Sequence, residues 1–207
     1  MDRTGPPSAV VFDIGGVLGG SADGIFAFAA ELGVAATSFA AAYWRHRDAY
    51  DLGSAAEDYW NRVANDLGRV LTAAQVRRLD SADAQRWSEL APGAAELIDA
   101  IARTGVQLAL LSNAPRSMAE QVRGSRWGAR FPTKLFSCDM GLAKPDPGVY
   151  ATVEDALGLP ATELVFFDDR PVNVLAAQQS GWSAFRWQGP RQCLTDLASA
   201  GVAVPGA

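Results

Sequence analysis

Two cysteines, Cys138 and Cys193, are too few for a disulfide framework in a chain of 207 residues, and they lack metal-ligand spacing. A reducing compartment is the matching expectation. Positive charge is scarce beside negative: 18 Lys and Arg against 23 Asp and Glu leave a net charge of −5 and a pI near 4.9. That balance gives no basic footprint for nucleic acid or an anionic membrane surface, so an anionic substrate must be held by local cations. No apolar run approaches the length of a membrane span, and Met1–Pro7 is a short polar tail with no hydrophobic segment of signal-peptide length after it. The expectation is a cytoplasmic protein with no nucleic-acid or membrane partner. Internal repeats and low-complexity linkers are also missing, which argues against separately tethered domains.

What is present is globular in character, with 49% hydrophobic and 20% charged residues, and long enough to bury a sizeable core. The chain is organised around Ala9–Leu18, where the run Ala9-Val10-Val11-Phe12 ends in Asp13 and then in Gly15 and Gly16. This reads as a buried strand delivering a carboxylate to a tight turn. Helical spacing follows through Asp23–Leu32, Ser38–Tyr50, Ala55–Leu67 and Ala73–Trp87, broken at Gly33, Gly53 and Gly68. Ser54 with Glu57, and Thr72 with Gln75, are spaced as capping boxes.

From Pro92 the pattern alternates. Strands are expected at Val106–Leu111, Lys134–Ser137, Leu164–Phe167 and Trp182–Trp187. Helices are expected at Gly93–Arg103, after Pro115, at Pro147–Leu157, at Val172–Ser180 and near Gln192–Ala200. Such alternation indicates an α/β fold with a parallel sheet and right-handed crossovers. The expected architecture is a doubly wound, Rossmann-like core of residues 1–19 and 88–207, with an α-helical cap of residues 20–87 inserted after the first strand.

Three more strand ends carry polar groups: Leu110-Leu111-Ser112-Asn113, Gly141-Leu142-Ala143-Lys144-Pro145-Asp146-Pro147, and Phe166-Phe167-Asp168-Asp169-Arg170-Pro171-Val172-Asn173. Each has an ordinary explanation, as a cap, a solvated loop charge or a turn. In an open parallel sheet, however, all of these ends point to the edge where ligands bind.

The four segments, in this order and around a helical insertion, resemble the haloacid dehalogenase superfamily, in its phosphatase-rich branch, over essentially the whole stretch from Val10 to Trp187. The resemblance implies that Asp13 is a nucleophile, Ser112 a phosphate hydrogen-bond donor and Lys144 a countercharge. It also implies a Mg2+ site built from Asp13, Asp168, Asp169 and the backbone carbonyl of Gly15. Phosphoryl transfer needs an in-line nucleophile and neutralisation of the phosphate oxygens, and these groups suit it. Attack by Asp13 would form an aspartyl-phosphate, which water then hydrolyses. Asn173, one turn beyond Asp169, could orient that acid or simply cap or pack.

Gly15 departs from the family pattern, in which a second aspartate usually protonates the leaving group. General acid–base help is worth about 10²–10⁴ in rate. Either the leaving group departs with less help, as from an anomeric sugar phosphate, or His46, Asp48 or Tyr50 of the cap supplies the proton, or the chain binds without turning over. Asn113, Arg45, Arg47 and His46 are the candidate substrate contacts; the competing reading buries Tyr43, Trp44 and Tyr50 in the cap and leaves its charges solvated. The expected activity is Mg2+-dependent hydrolysis of a small phosphorylated metabolite. A non-catalytic binding module and a metal-independent dehalogenase are the alternatives, the latter opposed by the Asp168-Asp169 pair. The oligomeric state stays open, since six tryptophans can serve an interface or a core.

Overall fold

The computed structural model describes residues 5–20 and 22–205; Met1–Thr4 of the expected N-terminal tail lie outside the described residues. Five parallel strands form one sheet: β1 (Ala9–Phe12), β2 (Gln107–Ser112), β3 (Thr133–Phe136), β4 (Leu164–Asp168) and β5 (Ser183–Arg186), in the order β3-β2-β1-β4-β5. The chain fills one side of β1 and then crosses back to fill the other, which makes the sheet doubly wound with its switch point beside β1.

The central strands read as unbroken apolar runs because both of their faces are covered. Val10, Phe12, Leu110 and Phe167 face one core cluster, while Ala9, Val11, Leu111 and Phe166 face the other. Helices α6 (Ala94–Ala102), α7 (Arg116–Gly124) and α11 (Pro190–Ser199) cover the first face. Helices α9 (Pro147–Leu157) and α10 (Pro171–Gln179) cover the second. A short helix, α8 (Ser137–Met140), follows β3 where the sequence pattern signalled nothing.

Register decides where the polar ends fall. Phe12 of β1 pairs with Leu110 of β2 and with Phe167 of β4. Asp13, Leu111 and Asp168 therefore come next on three adjacent strands, and the Asp13 amide donates to the Phe167 carbonyl at 3.0 Å.

Between β1 and α6 the chain forms a helical layer of α1 (Phe26–Leu32), α2 (Ala36–Arg45), α3 (Arg47–Asp51), α4 (Ala56–Asp66) and α5 (Ala73–Ser88). Its two connections to the sheet run side by side, with Gly19 bridged to Leu90 and the Ala91 amide donating to the Leu18 carbonyl. Phe28, Phe39, Tyr43, Tyr59 and Trp60 pack edge to face or tilted at its centre. Among the described residues no single helix is long and apolar enough to cross a membrane.

Two local expectations are corrected. The helix expected over Ser38–Tyr50 is broken at His46, which leaves helical geometry with φ −107° and ψ 0°, so α2 and α3 are separate. The Ser54–Glu57 capping box does not form because α4 starts one residue later, with extended Ala55 at its N-cap and no side-chain cap bond. The Thr72–Gln75 box does form.

Candidate active site

A cavity of about 700 Å3 lies between the C-terminal edge of the sheet and the helical layer. On the sheet side Lys144 is the hub. Its Nζ lies 3.0 Å from Asp13 Oδ1 and 2.7 Å from Asp168 Oδ2, and it donates to the Leu111 carbonyl at 2.9 Å. Lys144 is buried at 3% exposure, so its charge is balanced by these carboxylates and not by water. Burial alone would lower its pKa, but Asp13 and Asp168 outweigh it and hold the ammonium above its ordinary value. Burial pushes Asp13 up to about 6, against the pull of Lys144 and with the nearby Asp168 adding to the rise.

Asp168 is fully buried and held on all sides: Asn173 Nδ2 donates to both of its oxygens at 3.0 Å, and the Arg170 amide donates to Oδ1 at 2.8 Å. Asn173 thus orients Asp168, not Asp169 as its spacing suggested. Asp169 is half-buried and lines the cavity; burial, then the neighbouring Asp168, raises its pKa. Asp13, Asp168 and Asp169 each present an oxygen within 4.8 Å of the others. Gly16, at φ +70°, makes the third approach possible, since a Cβ there would stand 2.8 Å from Asp169 Oδ2.

This donor set fits Mg2+: it is all oxygen, it is carboxylate-rich, and it is open to the cavity for retained waters. Asn173 Oδ1, buried with no hydrogen-bond partner among the described residues, adds an acceptor suited to such a water.

Ser112 is buried at the end of β2 and lines the cavity, as does Gly15. Asn113 also lines it, but both ends of its amide are used: Nδ2 donates to the Lys144 carbonyl at 2.9 Å and Oδ1 accepts from the Lys144 amide at 2.8 Å. Asn113 thus clamps the lysine loop while lining the cavity.

The opposite wall comes from the helical layer. The break at His46 separates the charged cluster into two groups. Arg45 and His46 turn away and meet Asp66 at 2.8 and 2.9 Å; neither lines the cavity, which corrects their expected place beside the substrate. Arg47 turns inward and is only 5% exposed. Its guanidinium is paired with Asp51 at 2.7 Å and Asp83 at 2.9 Å and donates to the Tyr43 hydroxyl. Burial works against this charge, but Asp51, Tyr43 and Asp83 outweigh it and keep Arg47 firmly ionised.

Tyr50, one of the expected proton sources, is buried and hydrogen-bonded to Asp80 and Ser117 instead of facing the cavity. Asp48 does line it. Trp44, expected in the helical core, is 44% exposed and also lines the cavity.

Two contributors escaped the sequence reading. Asp51 lines the cavity beside Arg47, and burial raises its pKa to about 6. Trp87 places its ring 3.2 Å from where a Cβ on Gly15 would stand, and its Nε1 donates to the Tyr43 hydroxyl at 2.8 Å. The glycine pair after Asp13 was the one available signal that something approaches this turn closely.

The family model for haloacid dehalogenase-like hydrolases matches residues 7–181, which spans every strand but the last and all four polar ends. The chain is a haloacid dehalogenase-like hydrolase. A phosphoglycolate phosphatase of Pectobacterium atrosepticum is 32% identical over 180 residues, covering 83% of this hydrolase and 76% of that protein. Matches to two other curated relatives span only 42% and 28% of those proteins' lengths.

The fold is shared with a family enzyme of Bacteroides thetaiotaomicron, solved with magnesium and inorganic phosphate, at a TM-score of 0.67 and 18% identity over 87% of this chain and 93% of that one. It is shared equally with an L-2-haloacid dehalogenase of Xanthobacter autotrophicus, at a TM-score of 0.67 and 21% identity over 95% and 84%.

Proposed function

We propose that this hydrolase cleaves a small phosphomonoester with the help of Mg2+, using Asp13 as nucleophile and the helical layer as a cap. The observation that carries the reading is the convergence of Lys144 on Asp13 and Asp168 with Asp169 beside them, a nucleophile, a fixed cation and a divalent-ion donor set in one buried cluster. Dehalogenation also begins with an aspartate nucleophile but needs no metal, so the Asp168–Asp169 pair beside Asp13 favours phosphoryl transfer.

Asp13, Asp168, Asp169 and the Gly15 carbonyl would hold the ion. When bound, Mg2+ supplies positive charge to the phosphate oxygens, which a chain of net charge −5 provides sparingly. Lys144 neutralises the nucleophile's surroundings and supplies charge to the transferring group, and Ser112 donates a hydrogen bond to it. Asp13 forms a bond to phosphorus as the bond to the leaving oxygen breaks; water then attacks the aspartyl-phosphate, releases phosphate and restores Asp13.

Residue 15, a glycine, supplies no acid, and a Cβ there would stand 3.2 Å from the Trp87 ring, a tight approach. Asp48, on the cap side of the same cavity, is our candidate to give the leaving oxygen its proton. The two thiols are buried and free, which suits a cytoplasmic setting.

Phosphate release from a panel of phosphomonoesters, with Mg2+ and with a chelator, tests the reading. Metal-dependent release that disappears in Asp13→Asn is the expected result. Release unaffected by the chelator, or retained in the variant, would overturn it; ligand binding without release would favour a binding module.

A further inference from the structure

The cavity walls differ in the charge they leave available to a substrate. On the core side, Lys144 and Arg170 stand with the Asp13, Asp168 and Asp169 cluster, at the end where phosphate would sit. On the cap side the charged lining residues are Arg47, Asp48 and Asp51. Arg47 is already neutralised from two directions, by Asp51 and by Asp83 behind it, with Arg86 3.7 Å from Asp83 at the far side. Counting all five groups, two arginines face three aspartates, and the one of these that is exposed on the cavity wall is Asp48. On the cap wall a second anionic group of the substrate would meet a carboxylate and find Arg47 committed.

The remaining cap surface is aromatic and apolar. Trp44 and Leu52 are 44% and 42% exposed at the cavity, and Trp87 closes the side over Gly15. Carboxylate acceptors beside aromatic faces are the complement of a polyol: hydroxyl groups donate to the acids while the carbon skeleton packs on the rings.

Resting on the phosphomonoesterase reading, we infer that the leaving group is an uncharged, hydroxyl-rich carbon skeleton and that the cap wall, through Asp48 and Trp44, rejects phosphoesters bearing a carboxylate. The phosphoglycolate phosphatase likeness therefore does not extend to the substrate. An amine in place of one hydroxyl is accepted, since the wall offers it a counter-charge.

The test uses matched esters with Mg2+: glucose 6-phosphate against 6-phosphogluconate, glycerol 3-phosphate against 3-phosphoglycerate, and glucosamine 6-phosphate as the cationic member. The expected result is a kcat/KM at least about tenfold higher for the uncharged member of each pair, a ratio that Asp48→Lys narrows by about tenfold. Trp44→Ala should raise KM for the hexose esters with kcat little changed. A preference for the acidic members, or an unchanged ratio in Asp48→Lys, overturns the inference while leaving the phosphomonoesterase reading in place.

Failure of every ester to turn over overturns that reading instead. The same pairs titrated calorimetrically into the Asp13→Asn protein with Mg2+ then decide the inference without turnover: tighter binding of the uncharged members supports it, and equal or absent binding overturns it.

Discussion

The two walls of the cavity are built by different means. The core wall takes Asp13 and Ser112 from the ends of β1 and β2, with Asp168 at the end of β4 behind them; one parallel register sets Asp13 level with Leu111 and Asp168, and Ser112 follows one residue on. The cap wall takes Trp44, Arg47, Asp48, Asp51 and Trp87 from helices α2, α3 and α5, and no shared register relates them. Strand ends converge because parallel hydrogen-bonded neighbours carry their C-terminal ends to the same edge of the sheet. Helix faces converge only where packing angles allow. On the proposed function, chemistry falls to the first kind of wall and substrate selection to the second, so substitutions should separate the two.

The largest effect should come from the core wall. Asp13→Asn keeps the shape of the side chain and removes the nucleophile, so phosphate release should fall to background while the fold, followed by circular dichroism, is retained. A variant with near-normal release would detach the core wall from the chemistry. Lys144→Met comes next. It leaves Asp13 and Asp168 facing each other without their cation, and an uncompensated buried charge costs about 3–5 kcal/mol. A loss of stability of that order in denaturant titration, together with a fall in kcat of at least about 10², is expected; a stability loss alone would make Lys144 purely structural.

On the cap wall, Arg47→Met should destabilise by a similar mechanism, since Asp51 and Asp83 lose their common partner. Its effect on kcat should be much smaller than that of Lys144→Met. An equal loss of kcat would place Arg47 in the chemistry and break the division between the walls.

Gly15→Asp sharpens the comparison where the walls meet. The added Cβ would lie 3.2 Å from Trp87, a ring tied to Tyr43 and stacked under Arg86 at 4.2 Å. The single variant should gain no activity on poor leaving groups. Paired with Trp87→Ala, which clears the space, it should gain up to about tenfold over Trp87→Ala alone, short of the about 10²–10⁴ of a fully positioned general acid.

The smallest effect concerns pH. Folding raises the Asp51 pKa from 3.8 to about 6, chiefly through burial, so the native state holds this proton more tightly than the unfolded chain. The stability contributed is full below about pH 4 and is lost as pH rises toward about 6. Melting temperature should therefore fall less over that interval in Asp51→Asn than in the parent, and identical pH profiles would remove Asp51 from the titration.

The helical layer shows how far local sequence signals carry. Thr72 and Gln75 form their box because α5 begins at Ala73, whereas Ser54, an equally good cap by spacing, is left one residue outside α4. His46 carries no helix-breaking signal, yet the turn at this residue sends Arg45 to Asp66 and Arg47 into the interior. Both arginines look alike along the sequence, and only the break between them decides which one reaches the cavity.

Sequence alone determined the strands, their place in a doubly wound parallel sheet and the set of polar residues at their ends, because apolar runs buried on both faces and acids followed by glycine or proline are local patterns. It also singled out Lys144, one of two lysines in the chain, by its place before a helix start. Tertiary structure decided the rest. Asn113 proved to clamp the lysine loop, Asn173 to hold Asp168, and Trp87 to pack closely against Gly15. Each of these depends on two segments separated by at least five residues and up to seventy-two meeting in space, and side-chain contacts of that kind leave no period in the sequence for a local pattern to carry.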